Sequence, residues 1–304
     1  MTNTLSVKGL SKSFGANKVI DSISFDVPEG SIFGFIGANG AGKTTTMKMI
    51  LGLLPSDNGE IFVCGEKVSF GATKTNRFIG YLPDVPEFYG YMRAKEYLQL
   101  CGEIVGLDAV VKSRRIAELL DIVGLSGVNK RISALSRGMK QRLGMAQALL
   151  NEPELLICDE PTSALDPMGR KEILDTLKQA SRKTTVFFST HILSDVERIC
   201  DRVAVISGGQ IALSGTLAEL RTKHKSNSIL IKFASAIDKE QFVSAAALLM
   251  KDVKSVDMEL TLRVTDIEAA QRVILRILSL NDILPLKLEV LEPTIESLYL
   301  EVAG

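Results

Sequence analysis

The octapeptide GANGAGKT, Gly37 to Thr44, has the spacing G-x-x-x-x-G-K-[ST]. That spacing suits the cradling of a phosphate chain. Glycines let successive backbone N–H groups curl round an anion, and a following helix adds the positive end of its dipole. The candidate binding residues are Gly37, Ala38, Asn39, Gly40, Ala41, Gly42, Lys43, Thr44 and Thr45. Lys43 is placed to reach the β- and γ-phosphates of a nucleoside triphosphate, and the Thr44 hydroxyl to ligate Mg2+. An ordinary Gly-rich strand-to-helix turn is the plainer alternative, but it does not require every fixed position at once.

A second segment, LLICDEPTSALDP (Leu155 to Pro167), breaks an apolar run with adjacent acids, Asp159 and Glu160. Ending a core strand in paired carboxylates is costly unless a cation or donors offset the charge. A strand aimed at Mg2+ and a triphosphate meets that condition. Asp159 is expected to hold Mg2+, directly or through a water. Glu160, one residue on, points elsewhere and is placed to polarise a water for in-line attack on the γ-phosphate. The acids could instead cap a helix, since DEPTSALD allows it; the phosphate loop favours catalysis.

These residues need a scaffold of alternating strands and helices. LSVKGLSKSF and KVIDSISFDV read as short strands joined by a turn at Gly15-Ala16-Asn17. SIFGFIG is a buried strand running into the phosphate loop, and Lys43 to Leu54 has helical apolar spacing. The strand EIFVCG follows. From about Ala94 to Leu150 the pattern is mainly helical, in AKEYLQLCGEIVG, RRIAELLDIVG and GMKQRLGMAQALL. Strands return at LLICD, TTVFFST and RVAVIS. Strands alternating with helices imply a mainly parallel sheet covered on both faces.

The polar stretch RTKHKSNS (Arg221 to Ser228) reads as a boundary. It divides a first domain, residues 1–222 with a helical part at about 90–150, from a small α/β domain at 228–304. In the second domain ILIKFA, MELTLRV and LPLKLEVL are expected strands, and KEQFVSAAALLMKDV and IEAAQRVILRILSL expected helices. It holds no His, no Cys and no Gly-rich loop, so no chemistry is assigned to it.

The chain has 304 residues, enough for about two domains. Its formal net charge is +0, so no overall basic field points to nucleic acid. The short basic runs KSRR and RTKHK read as solvated faces. Apolar stretches fall well short of the roughly 20 residues that span a bilayer, and MTNTLSVKGL does not look like a leader. The expectation is a chain that does not itself cross a membrane and is not secreted. Cys64, Cys101, Cys158 and Cys200 form no C-x-x-C pair, so reduced, mostly buried thiols are expected rather than a zinc or redox site.

Three more features narrow the reading. LSRGMKQR (Leu135 to Arg142) precedes the acidic pair and opens a helix, SALD (Ser163 to Asp166) follows it, and His191 follows the strand VFFST. The ordered set, over about residues 1–220, resembles the ATP-binding-cassette (ABC) ATPases. The resemblance implies an α/β P-loop NTPase cassette with a mainly parallel core sheet, an N-terminal antiparallel β subdomain and a helical subdomain, followed here by the small C-terminal α/β domain. It implies that Phe14 stacks on adenine, and that Ser136 and Gly138 bind the γ-phosphate of an ATP held by a second copy. Asp166 would lie at the dimer interface. His191 would contact the γ-phosphate and orient Glu160 or the water. His224 matches nothing.

The resemblance further implies ATP and Mg2+ as cofactors, with a second ABC ATPase subunit and an integral-membrane permease as partners. No nucleic acid is expected. The location would be cytoplasmic, peripheral on the inner face of the cell membrane. Phe88, Tyr89, Tyr91 and Tyr97 fall where such ATPases receive a permease helix, and could instead fill the local core. The tail EPTIESLYLEVAG (Glu292 to Gly304) resembles the ending of ATPases paired with separate export permeases. The rival readings are a soluble ABC ATPase acting on ribosomes or nucleic acid, and a low-turnover nucleotide-dependent scaffold.

Two positions depart from the pattern. Arg137 stands where a second glycine is usual, and Arg adopts positive φ less cheaply than Gly; it could instead add a cationic contact. Asp84 stands where a glutamine is usual, and is expected to ligate Mg2+. ATP binding is expected to survive both changes, with hydrolysis slower or coupled differently.

Overall fold

The computed structural model describes residues 2–72, 74–223, 228–247, 252–291 and 295–298. They form two compact units, the larger ending at Leu217 and the smaller running from Ala218 to Leu298.

The larger unit opens with a long hairpin of β1 (Asn3–Phe14) and β2 (Asn17–Pro28). Gly15, at φ 59°, makes its turn. β3 (Ile32–Ile36) feeds the phosphate loop and α1 (Lys43–Ile50). Then come β4 (Asn58–Val63), β5 (Glu66–Lys67) and β6 (Ile79–Leu82). Three helices follow, α2 (Ala94–Val105), α3 (Ala109–Ile122) and α4 (Arg137–Ala148). β7 (Leu155–Asp159), α5 (Pro167–Ala180), β8 (Thr185–Thr190), α6 (Leu193–Ile199), β9 (Arg202–Ser207) and β10 (Gln210–Thr216) complete the series, and α7 (Leu217–Lys223) belongs to the smaller unit from its second residue on.

The main sheet has the order β10-β9-β3-β8-β7-β6. It is parallel except for the antiparallel edge strand β10. Every residue of β3, β7 and β8 is buried, as expected of parallel strands covered on both faces. A second, antiparallel sheet of order β2-β1-β4-β5 packs against it. Phe25 of β2 stacks on Phe33, Phe35 and Phe187 of the main sheet, with centroids 5.4–5.8 Å apart. This aromatic layer fixes β3, and with it the entry to the phosphate loop.

The smaller unit runs β11 (Ser228–Lys232), α8 (Ala236–Ala245), β12 (Val253–Val256), β13 (Glu259–Arg263), α9 (Ile267–Leu280) and β14 (Lys287–Leu291). Its antiparallel sheet, β12-β13-β11-β14, has the split β-α-β arrangement. Ile229, Ile231, Leu260 and Leu262 pack under Phe242 and Ile274 of the two helices.

Several expectations are corrected. The helix expected over Lys239 to Val253 ends at Ala245, and Val253 pairs with Leu262 as a strand. The helix expected to reach Leu54 stops at Ile50. In the stretch Arg221 to Ser228, Arg221–Lys223 belong to α7 and Ser228 opens β11. His224 lies outside the described residues, as does the tail from Glu292 apart from 295–298.

Candidate nucleotide site

The phosphate loop sits between β3 and α1 because glycine is required there. Gly42, the N-cap of α1, has φ 103°. A Cβ at that position would fall 2.3 Å from Ile20 Cδ1. Lys43, only 6 % exposed, donates from Nζ to the carbonyls of Gly37 (2.7 Å) and Ala38 (3.2 Å). Its Nζ also lies 3.0 Å from Glu160 Oε1. That pair is ionic contact without hydrogen-bond geometry, since Oε1 has no hydrogen-bond partner.

The acids at the end of β7 are compensated within the chain. Asp159 is 3 % exposed. Thr44 Oγ1 donates to its Oδ2 at 2.7 Å, and Ser189 Oγ to its Oδ1 at 2.6 Å. Ser189 Oγ in turn accepts from the Glu160 backbone N–H at 3.0 Å. Glu160 has the left-handed φ of 47°, a strained conformation for a side-chain-bearing residue that turns its carboxylate away from that of Asp159. Glu160 Oε2 meets His191 Nδ1 at 2.9 Å. Ser189 was not singled out from the sequence. Its signal was the polar Ser-Thr ending of the apolar strand TVFF, and register places it opposite Asp159.

Gly42, Lys43, Thr44, Glu160 and His191 line a cavity of about 380 Å³ together with Asn39, Gly40, Thr45, Asp84 and Ser163, and Asp159 lies behind it, hydrogen-bonded to Thr44. Burial raises the Asp84 carboxyl above its usual range; Arg137 opposes this, while Asp159 and Glu160 add to it. A hollow of about 390 Å³, lined by Lys18, Val19, Ala38 to Ala41 and Gly208, adjoins the other side of the loop. Phe14 stands 50 % exposed at the end of β1, its ring 5.6 Å from Lys12 Nζ. A larger hollow, about 600 Å³ around Glu29, Cys64 and Lys183, has neither a Gly-rich loop nor convergent acids.

The donor set fits Mg2+. Thr44 and Asp159 offer hard oxygens side by side beside a cationic phosphate loop. Among the described residues no three acidic, His or Cys side chains converge on one point, so an ion here would need nucleotide and water oxygens as well.

The remaining candidates lie outside this cavity. Ser136 is the exposed N-cap of α4, accepting from Met139 N at 3.2 Å, and Gly138 is in the helix's first turn. Asp166 is the exposed N-cap of α5, accepting from Gly169 N. Arg137 is the first residue of α4 and has no positive φ, so the strain expected from replacing a glycine is absent. Tyr97 is 8 % exposed and donates to Gln147 Oε1 at 3.0 Å, while Phe88 packs edge-on against it. Only Tyr89 and Tyr91, 55 % and 70 % exposed, present a surface.

Residues 20–163 match the ABC transporter family. The chain is 42% identical over 246 residues to the ABC transporter ATP-binding protein YxlF of Bacillus subtilis (strain 168), covering 79% of this chain and 82% of the relative. The chain belongs to the ABC transporter ATP-binding proteins. A second relative, the linearmycin resistance ATP-binding protein LnrL of Bacillus subtilis (strain 168), is 35% identical over 99% of this chain and 98% of its own. Among solved structures, one titled an ATP binding subunit of an ABC transporter superposes with a TM-score of 0.66 at 34% identity, covering 73% of this chain and 93% of its own. This ABC ATPase therefore binds and hydrolyses ATP. Among its described residues no helix is long and apolar enough to cross a membrane.

Proposed function

We propose that this ABC ATPase drives export through a separate membrane permease, by ATP-dependent pairing of two nucleotide-binding subunits. The observation that carries the catalytic part is the convergence of Lys43, Thr44, Glu160 and His191 on one cavity, with Asp159 hydrogen-bonded to Thr44 behind it. The loop from Gly37 to Thr45 holds the phosphates through backbone N–H groups, and Lys43 neutralises the γ-phosphate. Glu160 accepts a proton from the attacking water while His191 orients it. The water oxygen bonds to the γ-phosphorus and ADP leaves with the electron pair of the broken P–O bond. Mg2+ held beside Thr44 and Asp159 supplies neutralisation of phosphate charge. Catalysis is then mainly positioning and electrostatics.

Ser136 and Asp166 stand exposed and Gly138 half-buried, all outside the cavity, which supports a role toward a second copy's nucleotide. ATP would join the two halves through its γ-phosphate, and ADP lacks that bridge. Shifting such an equilibrium from mostly open to mostly closed takes about 5.5 kcal/mol of differential binding. Tyr89 and Tyr91 suit a docking patch for a permease helix. The relative LnrL is a linearmycin resistance ATP-binding protein, which supports export. A place on the inner face of the membrane follows from that partnership.

Glu160→Gln tests the catalytic reading. Turnover should fall by about 10²–10⁴-fold with ATP still bound. Undiminished turnover sinks the assignment. Co-purification from detergent-solubilised membranes tests the partnership, and recovery with ribosomes or nucleic acid instead of an integral protein overturns it.

A further inference from the structure

The two positions that depart from the family pattern meet in space. Asp84 Oδ1 lies 4.0 Å from Arg137 Nη2. That oxygen is sealed from solvent and has no hydrogen-bond partner, although Asp84 lines the nucleotide cavity. A buried carboxylate oxygen without a donor is costly unless a cation offsets it. Arg137 is that cation, and the positive end of the α4 dipole lies on the same side. Asp159 and Glu160 repel Asp84, while the Ser163 hydroxyl, also on the cavity wall, favours its charged form.

A second contact binds the same segment to α4. A Cβ on Gly144 would fall 2.7 Å from Leu82 Cδ1 and 3.2 Å from Pro86 Cβ. Only glycine admits the chain this close. The stretch from Leu82 to Pro86 is thus joined to α4 at two heights, by packing at Gly144 and by charge at Arg137. Asp84 sits between these anchors and faces the cavity.

We propose that Arg137 is a positioning residue for the ATPase reaction: it holds Asp84 at the cavity rim and thereby couples the first turn of α4 to what occupies the cavity. The proposal rests on the nucleotide reading of that cavity. Released from Arg137, Asp84 keeps only the Ser163 hydroxyl against the like charge of Asp159 and Glu160, which drives it toward solvent. The phosphates remain held by the loop and Lys43, so binding persists while turnover falls. Both side chains are about half exposed, at 52% and 45%, so the pair adds little to stability. Its function is geometric.

The test compares the full-length wild type with Arg137→Gln, Arg137→Lys, Asp84→Asn and the Asp84→Asn/Arg137→Gln double variant. Steady-state ATP hydrolysis gives kcat, and titration with trinitrophenyl-ATP gives nucleotide affinity. Arg137→Gln should lower kcat about five- to tenfold while the probe's Kd moves less than about twofold. Arg137→Lys should recover at least about half of the wild-type kcat. The double variant should be no slower than Asp84→Asn alone, because both changes remove one interaction. Multiplied losses in the double variant, or an Arg137→Lys as slow as Arg137→Gln, overturn the proposal. Amide exchange in the first turn of α4 supplies a readout without turnover. It should quicken in Asp84→Asn and Arg137→Gln alike with an unchanged urea midpoint, and unaltered exchange also overturns the proposal. Failure to recover a permease would bear on the transporter reading and leave these results standing.

Discussion

Replacing Gly42 with alanine separates two costs that the phosphate loop avoids. At φ 103° any L-residue is strained, by about 1–2 kcal/mol. A Cβ would also fall 2.3 Å from Ile20 Cδ1 and 3.3 Å from the Val19 carbonyl oxygen. Ile20 is 0% exposed within β2, so it has no solvent to swing into. Overpacking of this kind adds about 1–3 kcal/mol, and the sum is about 2–5 kcal/mol. Gly40 supplies the control. Its φ is 83°, and an added Cβ there meets nothing within 4 Å. Gly40→Ala should therefore lose only the strain contribution, about 1–2 kcal/mol. The assay is urea unfolding of the nucleotide-free chain, followed by circular dichroism because the sequence has no tryptophan. Midpoints and slopes of the two variants are compared at equal pH and salt. Equal losses would refute the reasoning, because they would mean that the contact with Ile20 is relieved at no cost.

Two further perturbations test the surroundings of the site. Asp195, 3 % exposed, accepts from Thr162 Oγ1 and Arg170 Nη2, both at 2.7 Å. Asp195→Ala strands Thr162 Oγ1 and leaves Arg170 Nη2 only the longer bond to Ser194 Oγ at 3.4 Å. It should cost about 2–4 kcal/mol in urea unfolding, whereas Asp195→Asn keeps an acceptor and should cost less. Cys158 and Cys200 are buried, and burial raises both thiols well above the ordinary range. In the native chain a thiol reagent should modify Cys64 and Cys101 first, with Cys158 and Cys200 reacting only on unfolding. The sign of the pH effect follows. The unfolded chain loses these thiol protons at the ordinary thiol pKa, and the folded chain only at a higher pH. Their contribution to stability is complete below about pH 8 and falls as pH rises past about 9. A urea midpoint that does not drop between pH 8 and pH 10 contradicts this.

What could be read from the sequence was chemistry built from neighbours in the chain. A phosphate cradle is made of consecutive backbone groups, so the run Gly37 to Thr45 is legible as a candidate cradle from the sequence alone. Asp159 and Glu160 were legible because charge ends an otherwise apolar strand. Ser189 was not, because its place beside Asp159 comes from the register of β7 on β8, a relation between distant segments. β6 was missed for the same reason: four residues carry little periodicity, and pairing with β7 makes IGYL a strand. The apolar run Ala245 to Met250 suggested a longer helix, yet α8 ends at Ala245, and pairing with β13 makes a strand of the residues from Val253. Tyr97 read equally well as surface or core, and its hydroxyl bond to Gln147 of α4 settles it inside.

The cost of two adjacent acids at a strand end is met twice over. In the chain alone, Asp159 takes hydroxyl donors from Thr44 and Ser189, and Glu160 takes Lys43 and His191. Two of these four partners, Thr44 and Lys43, belong to the phosphate loop. On the proposed reading an incoming triphosphate would compete with Glu160 for Lys43, and a cation beside Asp159 would share or displace the Thr44 proton. In the proposed mechanism the acids and the phosphates draw on one set of donors, so nucleotide binding would rearrange the carboxylates of Asp159 and Glu160. The two acids differ in backbone conformation. Asp159 ends a regular strand and stays beside Thr44, whereas Glu160 takes a left-handed φ and lines the cavity. There, on the proposed mechanism, release from Lys43 would leave Glu160 paired with His191 and free to take up a water.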